Sequence, residues 1–330
     1  MNKHSFERLT LERVKELLET EGSAIGLVDP EEYHKWKKEL PNCISKSSLA
    51  DFEENPLRYK MQLDSGEEKS SAGFKLGSAV DAAVLTPDVF ARKYFYEPKE
   101  VALTKDGRPH ANGHQSAEQK ARWAERAQKG DIFLKLEELT QVNDMAESVS
   151  EHLRKLRLKL PKSAFDLDGS DGCNCLTQVA MFVTVQAVQG VVLPVPLTVC
   201  GMLDLLPLED PVLVDLKTTS RGLSEQGLNY SMTDYSYGVQ AAMYTDLYQI
   251  CMNEQEARRF AFLFVEAEAP HQTRMVWMPQ TLNIAYRSRY QRALVEYATA
   301  LATDDWGGLQ LPDMDYNPPK YELSKLNITD

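Results

Sequence analysis

The chain has 330 residues, of which 43% are hydrophobic, and it carries a formal net charge of -12. Its hydrophobic share is enough to bury a substantial core, and its length fits one elaborated domain or two smaller ones. The acidic charge argues against a protein that coats nucleic acid nonspecifically, because lysine and arginine supply most of such binding. Positive potential that is confined to a local channel remains compatible with it.

No segment approaches the roughly 18 consecutive apolar residues that a membrane-spanning helix requires, and residues 1–20 are charged rather than signal-like. We therefore expect a soluble, cytoplasmic protein without membrane contact. Five cysteines, an odd number, predict reduced thiols rather than a disulfide framework. Cys173 and Cys175 lack a second cysteine pair, so a structural zinc site is poorly supported.

Residues 1–44 are interpreted as a highly charged, helical N-terminal extension, and residues 45–330 as the main domain. Within the extension Thr10 can cap a helix, because apolar residues follow it at helical spacing: Leu11, Val14, Leu17 and Leu18. Residues 91–170 of the main domain are mostly charged, and their pattern predicts a helical insertion or lid.

Two further helices are predicted near the start of the main domain. Ser45 or Ser47 opens the first, which covers Ser48–Glu54. The second lies in Phe74–Leu85, a segment whose small apolar residues would allow close packing against a sheet. Asp81 is the polar exception in this segment.

After residue 176 the pattern changes to aliphatic and β-branched runs separated by turns, which is typical of strands. The predicted elements are the strands Thr177–Val185, Leu197–Leu206 and Val212–Leu216, the amphipathic helix Tyr235–Met252 and the strand Arg259–Val265. This order predicts an α/β fold (α+β, with a mixed sheet) in which helices flank a central sheet.

Two acidic residues and a lysine stand near the ends of two predicted strands. Asp204 is close to the end of one strand, and Asp215 and Lys217, two positions apart, share a face of the next. If these strands form a hairpin, Asp204 can lie near Asp215. The two carboxylates and the carbonyl of Leu216 would then offer oxygen ligands suited to Mg²⁺ or Mn²⁺. The lysine could orient a nucleophile or offset charge on a phosphate.

An isolated Asp-x-Lys tripeptide is more often an ordinary ion pair at the end of a strand. Here it follows the apolar run Val212–Val214, which predicts a buried strand. Charged residues at the end of a buried strand are costly unless they serve one another or a ligand. The context therefore favours metal-assisted hydrolysis of a phosphodiester.

The segments around these residues resemble the motifs of the RecB-like exonucleases in the PD-(D/E)XK superfamily, which have a restriction-endonuclease-like core. Gly201–Asp204 and Asp215–Lys217 resemble the G-x-x-D and D-x-K motifs of that group, and Gln240–Tyr244 resembles its Q-x-x-x-Y helix. Ser47–Leu49, followed by Asn55–Tyr59, resembles its early S-x-L and C-P-x-x-Y signature. The shared order, which is more specific than any single motif, most resembles the exonuclease VIII (RecE) type of phage recombination nuclease.

The resemblance implies a role for each matching residue. Asp204 and Asp215 correspond to the metal-binding acids, and Lys217 corresponds to the catalytic lysine. Gln240 belongs with the catalytic residues as support for the site. Gln240 and Tyr244 are also candidates for DNA contact.

Three positions depart from the pattern of the resembled group. Asp81 stands where relatives commonly have a histidine ligand; a carboxylate suits Mg²⁺ equally well, so Asp81 is predicted as a metal ligand. A paired aspartate at a helix-packing surface is the alternative explanation. Gln178 stands where many relatives have glutamate, so an acidic contact is missing. Asn55 replaces the cysteine of iron-sulfur relatives, and no iron-sulfur cluster is expected.

Weaker candidates lie in basic and histidine-containing segments. Lys155 and Arg157 belong to a basic run that is predicted to bind DNA, although a solvated helix face explains it equally well. His110 and His114 have the spacing of a metal-binding pair on a helix, but the glycine and proline residues around them indicate a loop, and no third ligand is evident.

The resemblance implies a Mg²⁺-dependent exonuclease, with Mn²⁺ as a possible substitute, that digests double-stranded DNA from an end in the 5′ to 3′ direction. It further implies single-stranded DNA production for phage-type recombination, a homo-oligomer such as a tetramer, and a RecT-like single-strand annealing partner in the cytoplasm of a bacterial host. One alternative is a defence-system endonuclease on the same fold. Another is a non-catalytic module that binds DNA ends or proteins.

Overall fold

A computed structural model describes residues 6–66, 72–104, 108, 115–161, 172–307 and 325. These residues fold around a mixed, seven-stranded sheet. Numbered along the chain, the strands are β1 (Ser23–Leu27), β2 (Cys43–Ser45), β3 (Tyr94–Phe95), β4 (Ile132–Phe133), β5 (Cys175–Val188), β6 (Val191–Pro207), β7 (Val212–Thr219), β8 (Arg259–Glu266) and β9 (Thr273–Trp277).

The strands of the main sheet follow the order β1-β5-β6-β7-β8-β9, with β2 attached to β6. β7 and β8 run parallel, as do β2 and β6, and the other neighbours are antiparallel. β3 and β4 form a separate parallel pair. The mixed sheet confirms the predicted fold class, and β6 and β7 form the predicted antiparallel hairpin.

Helices cover the sheet on both sides, and within the described residues none is both long and apolar enough to cross a membrane. The helices are α1 (Leu11–Thr20), α2 (Pro30–Glu39), α3 (Lys46–Glu54), α4 (Pro56–Ser65), α5 (Ala72–Leu85), α6 (Pro87–Lys93), α7 (Ala117–Gln128), α8 (Leu136–Lys155), α9 (Glu225–Asp234), α10 (Tyr237–Met252) and α11 (Gln280–Thr303).

Short polar side chains fix several helix starts, and the sequence predicted those of α1 and α3. The Thr10 side chain accepts a hydrogen bond from a backbone N–H in the first turn of α1, and the Ser45 side chain does the same for α3. Asn55 caps α4 in the same way, and Pro56 follows it as the first helical residue. Proline is favoured there because the first turn needs no internal N–H donor.

The strand β8 shows how one strand contributes to two cores. Phe260, Phe262 and Phe264 point to one face, where they pack with α10 and α11 in what we call the first core. Leu263 and Val265 point to the opposite face, where they pack with α5 and α8 in the second core. Successive strand residues alternate between faces, so an almost wholly apolar strand indicates a sheet that is buried on both sides.

The N-terminal segment is more than the helical extension that the sequence predicted. β1 lies between α1 and α2 and pairs with β5 along its full length, from Ser23 opposite Val183 to Leu27 opposite Val179. The sequence of β1 contains serine, alanine and glycine, which have low strand propensity, and so it was missed. The division of the chain at residue 44 stays a prediction.

Part of the predicted insertion, residues 91–170, belongs to the core. Four buried residues of α8 pack with α5 and with the second-core side of the sheet: Val142, Met145, Val149 and Leu153. Their spacing puts them on one face of the helix, which explains why they are buried together. α8 is therefore a structural layer of the fold rather than a lid.

Close packing of α10 on β6 requires a glycine at position 201. A Cβ atom there would lie 2.6 Å from a ring carbon of Tyr244. We predict that Gly201→Ala lowers the free energy of unfolding by about 1–3 kcal/mol, because overpacking a core forces a shift of the ring or the strand. Chemical denaturation followed by circular dichroism measures this change.

The control for this prediction is a double-mutant cycle with Tyr244→Leu. The cost of Gly201→Ala should fall when the ring is absent, which would identify the ring as the source of strain. An unchanged unfolding free energy in the single variant Gly201→Ala would contradict the close contact.

Candidate active site

The strand β6 changes the face to which its side chains point near its end. Leu203 packs in the first core and Leu205 packs in the second, although residues two apart in a regular strand share a face. The residue between them is Asp204. The strand therefore turns about its axis at Asp204, which places this carboxylate at the boundary between the two faces.

The neighbouring strand β5 makes the same change at Gln178. Val179 packs in the first core, whereas the hydroxyl of Thr177 donates a hydrogen bond to the carbonyl of Leu85 on α5, on the opposite side. Gln178 has a φ of 54°, in the left-handed region that non-glycine residues rarely adopt. Such strain costs on the order of 1–3 kcal/mol and is most often found at functional sites. The Gln178 amide lies 3.5 Å from Asp204 Oδ1.

The side chain of Asp204 also bridges β6 to β7. The backbones of these strands pair at Leu205 and Val214. Next to this pair, Asp204 Oδ2 on β6 accepts a hydrogen bond of 2.8 Å from the backbone N–H of Leu216 on β7. This contact brings Asp204 beside Asp215, as the predicted hairpin required.

Asp215 is buried, with 1% of its surface exposed, and it is held between an amide and an ammonium group. Its Oδ1 accepts a hydrogen bond of 2.6 Å from Nε2 of Gln240, and its Oδ2 forms an ion pair with Lys217. Beyond this ion pair, Oδ2 has no hydrogen-bond partner among the residues that the structure describes. A buried carboxylate oxygen without hydrogen bonds is costly, so this atom is available to a ligand.

α10 presents three polar residues to the site from one face, at positions i, i+3 and i+7. Gln240 contacts Asp215 directly. The Lys217 ammonium lies 5.2 Å from the centre of the Tyr237 ring, within the range of a cation–π interaction. The Tyr244 ring packs against Gly201 and Phe260, so its observed contacts are structural. A DNA contact by Tyr244 stays a prediction.

Asp81 approaches the site from α5, on the second-core side. Burial raises the pKa of Asp81 to about 7, the Lys217 charge opposes this rise, and the Asp215 charge adds to it. These interactions indicate that Asp81 lies near the Asp215–Lys217 pair. The sequence singled out Asp81, and the structure brings it toward the same centre.

The charges at the site act strongly on one another. Burial raises the pKa of Asp204 well above its ordinary value, and the neighbouring Asp215 raises it further. Burial alone would lower the pKa of Lys217, but the charges of Asp215 and Asp204 outweigh it and raise the pKa. Carboxylates that are buried close together favour a bound proton or a bound cation.

The donor atoms fit a hard divalent cation. Asp204 and Asp215 supply carboxylate oxygens. The N–H and C=O groups of one strand residue point to the same side, and the Leu216 N–H points to Asp204. The Leu216 carbonyl is therefore expected on the side that faces Asp204. Asp215 Oδ2 is the buried oxygen without a hydrogen bond. In the described ranges no three His, Cys, Asp or Glu side chains converge as a metal-binding group. A metal role for Asp81 therefore stays a prediction.

Lys46, at the start of α3, is a further residue of the site that the sequence did not single out. Burial lowers the pKa of Lys46 to about 8, and repulsion from Lys217 contributes to this effect. Its ammonium lies 5.4 Å from the centre of the Tyr237 ring and donates a hydrogen bond to the carbonyl of Tyr235. The available signal was the position of Lys46 between the capping residue Ser45 and the S-x-L-like segment that begins at Ser47.

The other predicted residues lie away from this network or outside the described residues. Lys155 and Arg157 are exposed at the end of α8, where Lys155 forms an ion pair with Glu151. Their contact with DNA stays a prediction. His110 and His114 lie outside the residues that the structure describes.

Comparison with known proteins gives one family match, which covers part of the chain. Residues 187–308 match a family model described as a PDDEXK-like domain of unknown function (DUF3799). This range contains β6, β7, α10 and β8. A search of curated proteins finds no match.

Two solved structures match this chain to different extents. A candidate exonuclease from Eubacterium rectale is similar with a TM-score of 0.53 and 13% identity, over 90% of this chain and 97% of that chain. A phage-related exonuclease from Haemophilus somnus 129PT is matched over 49% of this chain and 73% of that chain, at 12% identity. Its TM-score of 0.26 is too low to establish a common fold. Residues 187–308 thus resemble a PDDEXK-like domain, and the first of these structures shows a similar fold over most of the chain, in agreement with the sequence motifs.

Proposed function

We propose that this protein is a Mg²⁺-dependent exonuclease that hydrolyses double-stranded DNA from an end. The observation that carries the proposal is the buried Asp215 carboxylate, bound by Gln240 and Lys217 and adjoining Asp204. Asp215 and Lys217 on one face of β7, together with Asp204 on β6, provide the groups that phosphodiester hydrolysis needs. The fold supports the same proposal.

Each protein group has a distinct task in the proposed reaction. Gln240 fixes the orientation of the Asp215 carboxylate through a 2.6 Å hydrogen bond. Lys217 keeps its proton, because the neighbouring carboxylates raise its pKa. A protonated ammonium can donate a hydrogen bond to the nucleophilic water or to the phosphate oxygen on which charge develops. Lys217 is therefore the group that responds to the change in charge during the reaction.

Asp204, Asp215 and the Leu216 carbonyl would hold the divalent cation, with Asp81 as an additional acid. When bound, such an ion polarises the phosphate and lowers the pKa of a coordinated water. Oxygen ligands favour Mg²⁺ or Mn²⁺ over zinc. The left-handed Gln178 keeps an amide, rather than a further negative charge, beside Asp204.

The finer features of the proposal come from the resemblance to the exonuclease VIII type. They are 5′ to 3′ digestion, a homo-oligomer such as a tetramer, and a RecT-like annealing partner in phage-type recombination within a bacterial cytoplasm. The fold is compatible with them. The experiment below separates them from an endonuclease and from a non-catalytic DNA-binding module.

We predict that the protein digests linear duplex DNA and leaves covalently closed circles intact. A duplex labelled at one 5′ end, incubated with Mg²⁺, should release its label as the first product, and EDTA should stop the reaction. Release of a 3′ label first would reverse the polarity. Cutting of the circle would instead indicate an endonuclease, and binding without cutting would indicate a non-catalytic module.

We predict that Lys217→Ala lowers the rate of digestion by at least about 10²–10³-fold, the usual effect of removing a group that stabilises developing charge. The matched control is Lys129→Ala, which removes an exposed lysine at the end of α7 and should leave the rate unchanged. Thermal unfolding must show that both variants fold, because Lys217 is half of a buried ion pair. Unchanged turnover of folded Lys217→Ala would exclude the proposed mechanism.

We predict that Asp81→Asn raises the Mg²⁺ concentration needed for half-maximal activity by about 10-fold, because metal sites lose about 10–100-fold in affinity when a group that supports them is removed. The control is Asp144→Asn, at an exposed position of α8. Titration of Mg²⁺ binding by calorimetry gives a readout independent of activity. Identical titrations for Asp81→Asn and wild type would make Asp81 a structural residue.

A further inference from the structure

We propose that Tyr235 and Tyr237 form a stacking site for an unpaired base of the strand that is cleaved, next to the cleaved phosphate. This inference rests on the proposed function and adds a substrate preference to it. A base can leave its partner most easily at a single-stranded overhang or a frayed end. The site therefore favours DNA ends of this kind over fully paired, blunt ends.

The two tyrosine rings already form a stack in the protein. Their centres are 5.5 Å apart and their planes differ by 30°. The inner ring, that of Tyr237, lies against Phe262 and Phe264 of the first core. The outer ring, that of Tyr235, is on the surface with 54% of the residue exposed. The stack thus leads from the core to the solvent.

The position of the stack links it to the chemistry. The Lys217 ammonium is 5.2 Å from the centre of the Tyr237 ring, and the Tyr235 ring is the next ring outward. A phosphate that is contacted by Lys217 therefore has Tyr235 within reach of an adjacent nucleotide of the same strand. Aromatic rings next to a cationic backbone contact are the usual means of holding single-stranded DNA.

The protein holds the backbone around Tyr235 in an uncommon conformation. Ser236, between the two tyrosines, has a φ of 49°, in the left-handed region. This turn lets two residues at positions i and i+2 bring their rings together instead of pointing them apart. The Lys46 ammonium donates a hydrogen bond to the Tyr235 carbonyl and so fixes the turn from α3. Strain of this kind persists where surrounding contacts impose it, often at ligand sites.

The outer ring is exposed to solvent and has a cation nearby. The Arg221 guanidinium is 5.8 Å from the centre of the Tyr235 ring, within the roughly 6 Å range of a cation–π interaction. Arg221 also forms an ion pair with Asp234, which keeps the guanidinium at this edge. An arginine at this distance can contact a phosphate or stack on the base that enters.

A base is the ligand whose chemistry fits this arrangement. Contact between the apolar face of an aromatic ring and water is unfavourable, and a stacked base would cover that face. The neighbouring groups include three cations, Lys46, Lys217 and Arg221, which can contact the phosphates on either side of such a base. Lys217 and Arg221 are ion-paired with Asp215 and Asp234, which hold them in place. The stack offers a ring face and no base-edge hydrogen bonds among these contacts, so we expect little sequence preference.

Fluorescence of 2-aminopurine, placed as the last unpaired base of a three-nucleotide overhang, tests the proposal. Ca²⁺ replaces Mg²⁺ to fill oxygen ligands while the strand stays intact. Stacking on Tyr235 should quench the fluorescence. Tyr235→Ala should lose the quenching and bind the overhang about 10-fold to 100-fold more weakly, whereas Tyr235→Phe, which keeps the ring, should behave as wild type.

The matched control is Tyr230→Ala, which removes a tyrosine of α9 that is 55% exposed. This variant should retain quenching and affinity. In digestion with Mg²⁺, Tyr235→Ala should lose the preference for overhanging over blunt ends, with 5′ and 3′ overhangs tested separately. Equal losses in both tyrosine variants, or wild-type behaviour of Tyr235→Ala on every end, would overturn the stacking site.

The design separates this inference from the proposed function. If the wild-type protein digests no DNA under any condition, the proposed function fails. If it digests DNA but Tyr235→Ala shows the wild-type preference among ends, only the stacking site fails. Quenching by the wild type and its loss in Tyr235→Ala would support the stacking site directly, because that measurement does not depend on cleavage.

Discussion

The buried charges of Asp215 and Lys217 are the constraint that the surrounding structure meets. Both residues lie on β7, where Asp215 pairs with Phe262 of β8 and Lys217 pairs with Phe264. They therefore share the sheet face of these two phenylalanines. Without polar partners, the two charges would be surrounded by an apolar core. Burying either charge alone would cost several kcal/mol. Gln240 therefore has to come from α10 at hydrogen-bond distance, and Gly201 has to leave room for Tyr244 so that α10 can lie this close.

The position of Asp204 depends on a departure from regular strand geometry. The paired change of face at Gln178 and Asp204 lets one carboxylate stand between the two sides of the sheet. Asp204 can then accept a hydrogen bond from the Leu216 N–H while Asp81 approaches from α5. A regular strand would have directed Asp204 wholly to one side. The left-handed conformation of Gln178 is thus part of how the site is built, and local strain at such positions is common where geometry matters more than stability.

The sequence predicted the elements whose pattern is local. The strands β5–β8, the helices α3 and α10 and the association of Asp204 with Asp215 follow from periodicity, caps and hairpin order. The change of face at Gln178 was not predictable from the sequence. Alternation of apolar residues describes a regular strand and contains no signal for such a change. β1 was missed because its pairing with β5, rather than its own propensity, makes it a strand. Lys46 and Tyr237 were missed for a related reason, since their approach to Lys217 depends on how α3 and α10 pack.

The acidic net charge of -12 bears on how a strand of DNA would be held. A protein of this charge repels a phosphate backbone at long range, so contacts that depend on many cations are weak, and they weaken further as salt is added. Stacking between a base and a tyrosine needs no net charge and is much less sensitive to salt. A stacking site beside a few cations, on a chain that is acidic on balance, would therefore favour the end of a strand that has reached the site. For the proposed exonuclease, which would work from DNA ends, such a preference is an advantage over general attraction to duplex DNA.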